Sequence, residues 1–278
     1  MSDSRAIGVF DSGLGGLTVV KEIIKQLPNE NIVYFGDTGR VPYGAKSRET
    51  IRRYALEDEK FLLSHNVKLI VAACGTVSSV ASDTAENLPV PFAEVVSHSV
   101  KSAVKATKNK RIGILGTVAT VQSGAHKNQI LKLMPEAQVF YNSAPLFVPL
   151  VEEGWFSSGD SVVLTTVERY LEPLLKEGID TLILGCTHYP VLEKAISKVA
   201  GEGVTLINMG KATAEYIKEF LTESNSLNQD KASAEINFFV SDKAESFRKT
   251  ASILLGDEID EEKVKQVNIG VYDEGSTN

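Results

Sequence analysis

A chain of 278 residues, 43% of them hydrophobic, carries enough apolar surface for a sizeable core and is long enough for two compact units. A charged fraction of 23% argues against wholesale disorder, and a net charge of -7 has the wrong sign for a broad nucleic-acid footprint. The longest apolar runs are strand-sized, and the first six residues, Met1-Ser2-Asp3-Ser4-Arg5-Ala6, lack the basic start and apolar stretch of a secretory signal, so the expectation is a cytoplasmic protein without a membrane or nucleic-acid partner.

In chain order, residues 6–10 read as a buried strand, followed by Leu17, Val20, Ile24 and Leu27 at helical spacing. Strands are predicted at 31–35 and 69–73, with a helix between them marked by Ile51, Tyr54, Ala55 and Leu62. After Cys74 the stretch 77–87 is compatible with a helix. Further strands are predicted at 111–115, 137–141 and 181–185. Val163, Val167, Leu171 and Leu174 outline a helix, and another follows Pro190 through Leu192, Ile196 and Val199. Residues 222–233 are polar and read as a loop, 235–240 as a strand, and 273–278 as a frayed end. The alternation predicts an α/β fold with mainly parallel sheets.

A weak internal repeat accompanies it. Ile7-Gly8-Val9-Phe10-Asp11-Ser12 resembles Ile112-Gly113-Ile114-Leu115-Gly116-Thr117, and the strand ending at Cys74 resembles the strand ending at Cys186. A true repeat makes two similar domains, each with one cysteine at the carboxyl end of a strand, where open α/β sheets bind ligands.

Those two cysteines are the only ones in the chain. In the expected reducing compartment a structural disulfide is not anticipated, and the plain reading of either alone is a small buried hydrophobe. Their strand-to-helix junctions favour a different reading. Free backbone N–H groups and the positive end of a helix dipole lower a thiol pKa from about 8.5. Asp11, at the end of the first strand, is expected on the same edge as Cys74, and His188 stands two residues from Cys186. The glycine-rich turn Asp11-Ser12-Gly13-Leu14-Gly15-Gly16 can cradle an anion, but its spacing does not match the dinucleotide fingerprint. Val41-Pro42-Tyr43-Gly44 is a turn whose phenol and amides can reach a ligand or simply connect elements. Inverting an amino-acid α-carbon requires a base on one face and an acid on the other, and two opposed thiols supply both without an imine-forming cofactor. No lysine carries a persuasive local signature for pyridoxal phosphate, so no cofactor is expected; no metal is expected either.

Five ordered stretches then give a specific resemblance: 8–16 (GVFDSGLGG), 37–44 (DTGRVPYG), 113–117 (GILGT), 145–154 (PLFVPLVEEG) and 184–190 (LGCTHYP). Along nearly its whole length the sequence resembles the glutamate racemases of bacterial cell-wall synthesis. The resemblance implies two α/β domains, 1–97 plus 209–278 and 98–208, with the active site in the cleft between them. It implies that Cys74 takes the proton from D-glutamate and Cys186 from L-glutamate, with Asp11 and His188 as their supporting groups. Asp11, Ser12, Tyr43, Gly44, Gly75, Thr76, Thr117, Thr120, Thr187 and His188 fall at positions expected to contact substrate, with Glu152 nearby. A homodimer that supplies D-glutamate for peptidoglycan is the implied biology. Two departures stand out. The family usually has Asn after the first cysteine, where this chain has Gly75, and an Asp-Ser-Gly-like segment where it has Asn208-Met209-Gly210, a change expected to fall in a supporting loop. The alternatives are a racemase for aspartate or another amino acid and a homologue that binds without catalysing. A redox thiol protein is disfavoured by the absence of C-x-x-C.

Overall fold

The structure, a computed structural model, describes residues 2–230, 234–256 and 258–272. The first sheet contains β1 (Ile7–Asp11), β2 (Ile32–Gly36), β3 (Leu69–Ala72), β4 (Phe92–Glu94), β9 (Ile236–Val240) and β10 (Val264–Gln266), in the order β10-β9-β2-β1-β3-β4. The second contains β5 (Arg111–Gly116), β6 (Gln138–Ser143), β7 (Thr181–Gly185) and β8 (Thr205–Asn208), in the order β6-β5-β7-β8. Every pairing in both sheets is parallel. This is the predicted fold class. The central strands β1, β3 and β7 are buried along their whole length, which is why they read as continuous apolar runs rather than alternating ones.

Register brings the chemistry-bearing residues to the carboxyl edges. Asp11 pairs with Gly36, and Phe10 with Ala72, so the chain leaves β3 toward Cys74 beside the end of β1. Gly116 pairs with both Ser143 and Gly185, so Thr117 and Cys186 leave adjacent strand ends in the second sheet.

The helices are α1 (Leu17–Gln26), α2 (Arg48–Ser64), α3 (Gly75–Val80), α4 (Val95–Ala106), α5 (Val118–Ser123), α6 (Ala125–Leu133), α7 (Phe147–Glu152), α8 (Ser161–Lys176), α9 (Glu193–Ala200), α10 (Met209–Glu223) and α11 (Ala244–Leu255). In α1, Leu17, Val19, Val20 and Ile23 are fully buried, each contributing about 1.5–3 kcal/mol of transfer free energy. The chain passes from the first sheet to the second through α4 and returns through α10, and these two helices pack on each other. His98 of α4 stacks on Tyr216 of α10, with ring centroids 3.8 Å apart. One buried apolar cluster runs from Val9 and Val71 through Val96, Val100 and Ile217 to Ile114 and Ile183.

Several expectations are corrected. The helix read across 77–87 starts earlier, at Gly75, and ends at Val80. Ala81 leaves the helical region at φ -137°, and a 3₁₀ helix, Ser82–Asn87, follows. After Pro190 the first turn is 3₁₀ (Tyr189–Leu192) before α9 begins. The loop read from 222 begins after α10 ends at Glu223, and its residues 231–233 lie outside the described residues, as does the end 273–278. Asn208-Met209-Gly210 is not a loop: Asn208 caps α10, its side chain accepting from the Lys211 N–H at 3.2 Å. Among the described residues, no helix is long and apolar enough to cross a membrane.

Candidate active site

The two carboxyl edges meet around a cavity of about 380 Å³ to which both sulfur-bearing residues contribute. Cys74 ends the passage out of β3 and starts α3, and the Ala73 N–H donates to the Phe10 carbonyl at 2.9 Å, holding this junction against β1. Cys186 follows β7, and its carbonyl accepts from the Tyr189 N–H at 3.0 Å as the chain turns into its 3₁₀ helix. Ser12, Tyr43, Gly44, Gly75, Thr76, Thr117, Glu152, Thr187 and His188, all expected from the sequence, also line the cavity. Val41 and Pro42, from the turn that the sequence offered as a ligand contact or a plain connection, line it too, and with Val148 and Pro149 they add an apolar wall.

Asp11 and Thr120 are placed behind the lining rather than in it. The Asp11 carboxylate is buried, accepting from the Gly13 N–H at 3.0 Å and the Thr187 hydroxyl at 3.5 Å. Thr120 is fully buried at the start of α5, its N–H donating to the Thr117 hydroxyl that caps the helix. Tyr43 lines the cavity, but its hydroxyl is engaged elsewhere, donating to Asp37 and lying 3.0 Å from Asp58 Oδ2. The phenol is therefore held in a charged cluster in which Arg40 bridges Asp37, Glu57 and Asp58. The motif alone gave no sign of this, because half the cluster comes from α2.

The two thiols have different neighbours. Cys74 Sγ lies 3.5 Å from the Ser12 hydroxyl. Cys186 Sγ lies 3.9 Å from His188 Nδ1, and His188 Nε2 lies 3.3 Å from Glu152 Oε1. Burial, reinforced by the Asp11 charge, pushes the Cys74 thiol up to about 12. The expectation that the strand-to-helix junction would lower it is overturned for Cys74: desolvation outweighs the opposing hydrogen bonds of the Ser12 hydroxyl and of the Val77 and Ser12 N–H groups. Burial lowers the His188 imidazole, but hydrogen bonding to Cys186 and Glu152 and the charges of Cys186 and Asp11 outweigh it and raise His188 to about 10. Burial raises the Asp11 carboxyl, opposed by His188 and by the N–H groups of Gly16 and Gly13. Near neutral pH the site thus holds Cys74 as a thiol and His188 as an imidazolium.

Thr18, which the sequence reading passed over as part of an amphipathic helix, joins the two halves of the site. Its hydroxyl donates to the Thr187 carbonyl at 2.8 Å and lies 2.9 Å from the Gly15 carbonyl. The glycine-rich turn is pressed against the same segment: a Cβ on Gly15 would lie 2.2 Å from Thr187 Oγ1 and 2.5 Å from His188 Nδ1.

Residues 7–217 match the model of the Asp/Glu/Hydantoin racemase family. A glutamate racemase of Neisseria meningitidis serogroup A is 44% identical over 268 residues, 96% of this chain and 97% of that protein. One from Geobacter metallireducens is 43% identical over 253 residues, 91% and 93% of the two chains. The crystal structure of a glutamate racemase from Francisella tularensis in complex with D-glutamate superposes with a TM-score of 0.89 at 38% identity, covering 97% of this chain and all of that one. With two parallel sheets, a cysteine at the end of each and one cavity between them, the chain belongs to the Asp/Glu/Hydantoin racemase family.

Proposed function

We propose that the protein interconverts L- and D-glutamate by moving protons between the substrate α-carbon and two thiols. The observation that carries this reading is that Cys74 and Cys186, contributed by facing sheet edges, line one cavity. One sulfur, as thiolate, takes the α-proton from one face. The other, as thiol, gives its proton to the opposite face, so the pair ends with its protonation states exchanged. The site is poised for one direction: burial holds Cys74 as a proton donor, and the His188 cation stands beside Cys186. In this reading Cys186 takes the proton from L-glutamate and Cys74 takes it from D-glutamate. Glutamate as substrate is supported by the identity to named glutamate racemases and by the D-glutamate complex of the Francisella protein.

The same reading places Asp11 behind Cys74 and His188 behind Cys186 as supporting groups, with the remaining lining residues around the substrate. It divides the chain into domains 1–97 plus 209–278 and 98–208, a division supported by strand membership of the two sheets. A homodimer in the cytoplasm, supplying D-glutamate for peptidoglycan, completes it, and the unpaired state of both cysteines suits that compartment.

The test is α-proton exchange in D₂O with purified protein and no added cofactor, offered L-glutamate, D-glutamate, aspartate and glutamine in turn. Glutamate is expected to exchange and racemise fastest. Cys74→Ala and Cys186→Ala are each expected to abolish racemisation. Near-normal turnover in either variant, or no turnover of glutamate by the parent protein, overturns the proposal.

A further inference from the structure

The turn after Cys186 has one of its carbonyls satisfied from the other sheet. The Cys186 carbonyl accepts from the Tyr189 N–H at 3.0 Å and the His188 carbonyl from the Val191 N–H at 3.1 Å, both within the turn. The Thr187 carbonyl between them accepts instead from the Thr18 hydroxyl of α1, at 2.8 Å and 169 positions away in the chain. Thr18 is buried. The Gly15 carbonyl, 2.9 Å from the same hydroxyl, already accepts from the Thr18 N–H at 3.0 Å, so the single hydroxyl proton serves Thr187. Because a peptide unit is planar, holding the Thr187 carbonyl fixes the plane of the bond that leads into His188. The restraints on the imidazole itself are softer. Glu152, 3.3 Å from Nε2, has 44% of its side chain exposed, and Cys186 is a reacting group.

We propose that Thr18 is a positioning residue: its hydroxyl, carried by a helix of the first sheet, fixes the Thr187–His188 peptide and so holds the imidazole against Cys186. This rests on the two-thiol reading above. Asp11 and Gly15 act on the same segment from the same side, Asp11 by accepting from the Thr187 hydroxyl at 3.5 Å and Gly15 by close packing on Thr187 and His188. The first sheet thereby builds part of the surroundings of the second sheet's cysteine, and the imidazole is set in place when the two carboxyl edges are together. Without the hydroxyl, the buried Thr187 carbonyl loses its donor, and the peptide turns with His188 attached. Misplacement of a reacting group by about 1 Å costs roughly 10²-fold in rate, and a ring still tethered by Glu152 moves less, for a cost of about tenfold.

The experiment compares the parent protein with Thr18→Val, which keeps the shape and loses the hydroxyl, and with Thr18→Ser, which keeps the hydroxyl. The first readout is kcat and KM from each enantiomer. Because the enantiomers have equal free energy, kcat/KM is the same in both directions for any variant, so the informative quantities are kcat and KM separately. The second is the rate at which iodoacetamide alkylates Cys186 at one pH near neutrality, read by peptide mass, with Cys74 in the same sample as the reference. In Thr18→Val, kcat is expected to fall about tenfold in both directions with KM within about twofold. Alkylation of Cys186 is expected to slow relative to Cys74, because the imidazolium no longer stands beside its sulfur. Thr18→Ser is expected to keep both readouts within about twofold of the parent. Parent-like kcat in Thr18→Val, an equal loss in Thr18→Ser, or the same change of alkylation at both thiols overturns the inference. If Thr18→Val does not fold, Thr18→Ser decides it: parent-like values uphold the inference, and a fall of about tenfold in a variant that retains the donor overturns it. A parent protein that does not racemise glutamate defeats the functional reading, whereas an active parent with an unaffected Thr18→Val defeats only this one.

Discussion

Cys74 combines two opposing influences on one sulfur. Its place at the start of α3 favours the anion, while full burial and the nearby Asp11 carboxylate disfavour it, and the second pair prevails. The thiol is raised to about 12 partly by a like charge, so removing that charge moves the pKa down. Asp11→Asn is therefore expected to shift the pH profile of iodoacetamide alkylation at Cys74 toward lower pH, read by peptide mass, while racemisation falls. A profile that stays in place, or moves up, contradicts the role assigned to Asp11. At this scale much of the site was legible. Both cysteines, Ser12, Thr187 and His188 sit in short motifs whose strand-to-helix position fixes where they end up. The direction of the Tyr43 hydroxyl was not legible, because it depends on Asp37, Arg40 and Asp58 meeting across two elements. Nor was Asp11's place behind the cavity lining, which follows from the Gly13 N–H turning back onto its carboxylate.

The glycine-rich turn before α1 shows why a segment of small residues was needed at this element boundary. Gly15 packs so closely on Thr187 and His188 that a methyl group would displace the imidazole facing Cys186. Gly15→Ala is expected to lower kcat by roughly 10²-fold while far-UV circular dichroism stays unchanged. Parent-like turnover in this variant would show that His188 tolerates the displacement. Elements with long apolar runs, such as β1, β3 and β7, were legible because both faces of each strand are buried. The three-residue strands β4 and β10 were not, since so short a run shows no periodicity. In α2, the consecutive acidic residues Glu57, Asp58 and Glu59, which the sequence reading did not single out, are all buried against Arg40 or Thr84. Burial raises the Glu59 carboxyl to about 7, with the Thr84 hydroxyl opposing it.

At the scale of the whole molecule, the end of the first sheet away from the cavity is fastened by a buried ion pair. Lys68 Nζ lies 2.6 Å from Glu30 Oε2 and donates to the carbonyls of Asp3 and Ser226 at 2.7 Å each. Lys68→Met leaves the Glu30 charge buried without its cation, a change expected to cost about 3–5 kcal/mol of unfolding free energy. Urea unfolding is expected to show a lowered midpoint, with kcat of the folded enzyme unchanged. A parent-like midpoint would mean that Glu30 is satisfied without the lysine. The two passages of chain between the sheets carry a mechanical consequence. α4 and α10 lie flank to flank with His98 stacked on Tyr216, so both tethers share one line. Such tethers work as an axle: turning about it stretches neither, whereas sliding along it shears the stacked rings. An opening of the mouth about that axle would run as a book opens along its spine. Ser12 stays with one sulfur and His188 with the other, and the links from Thr18 and Asp11 to Thr187 are the stitches that opening undoes.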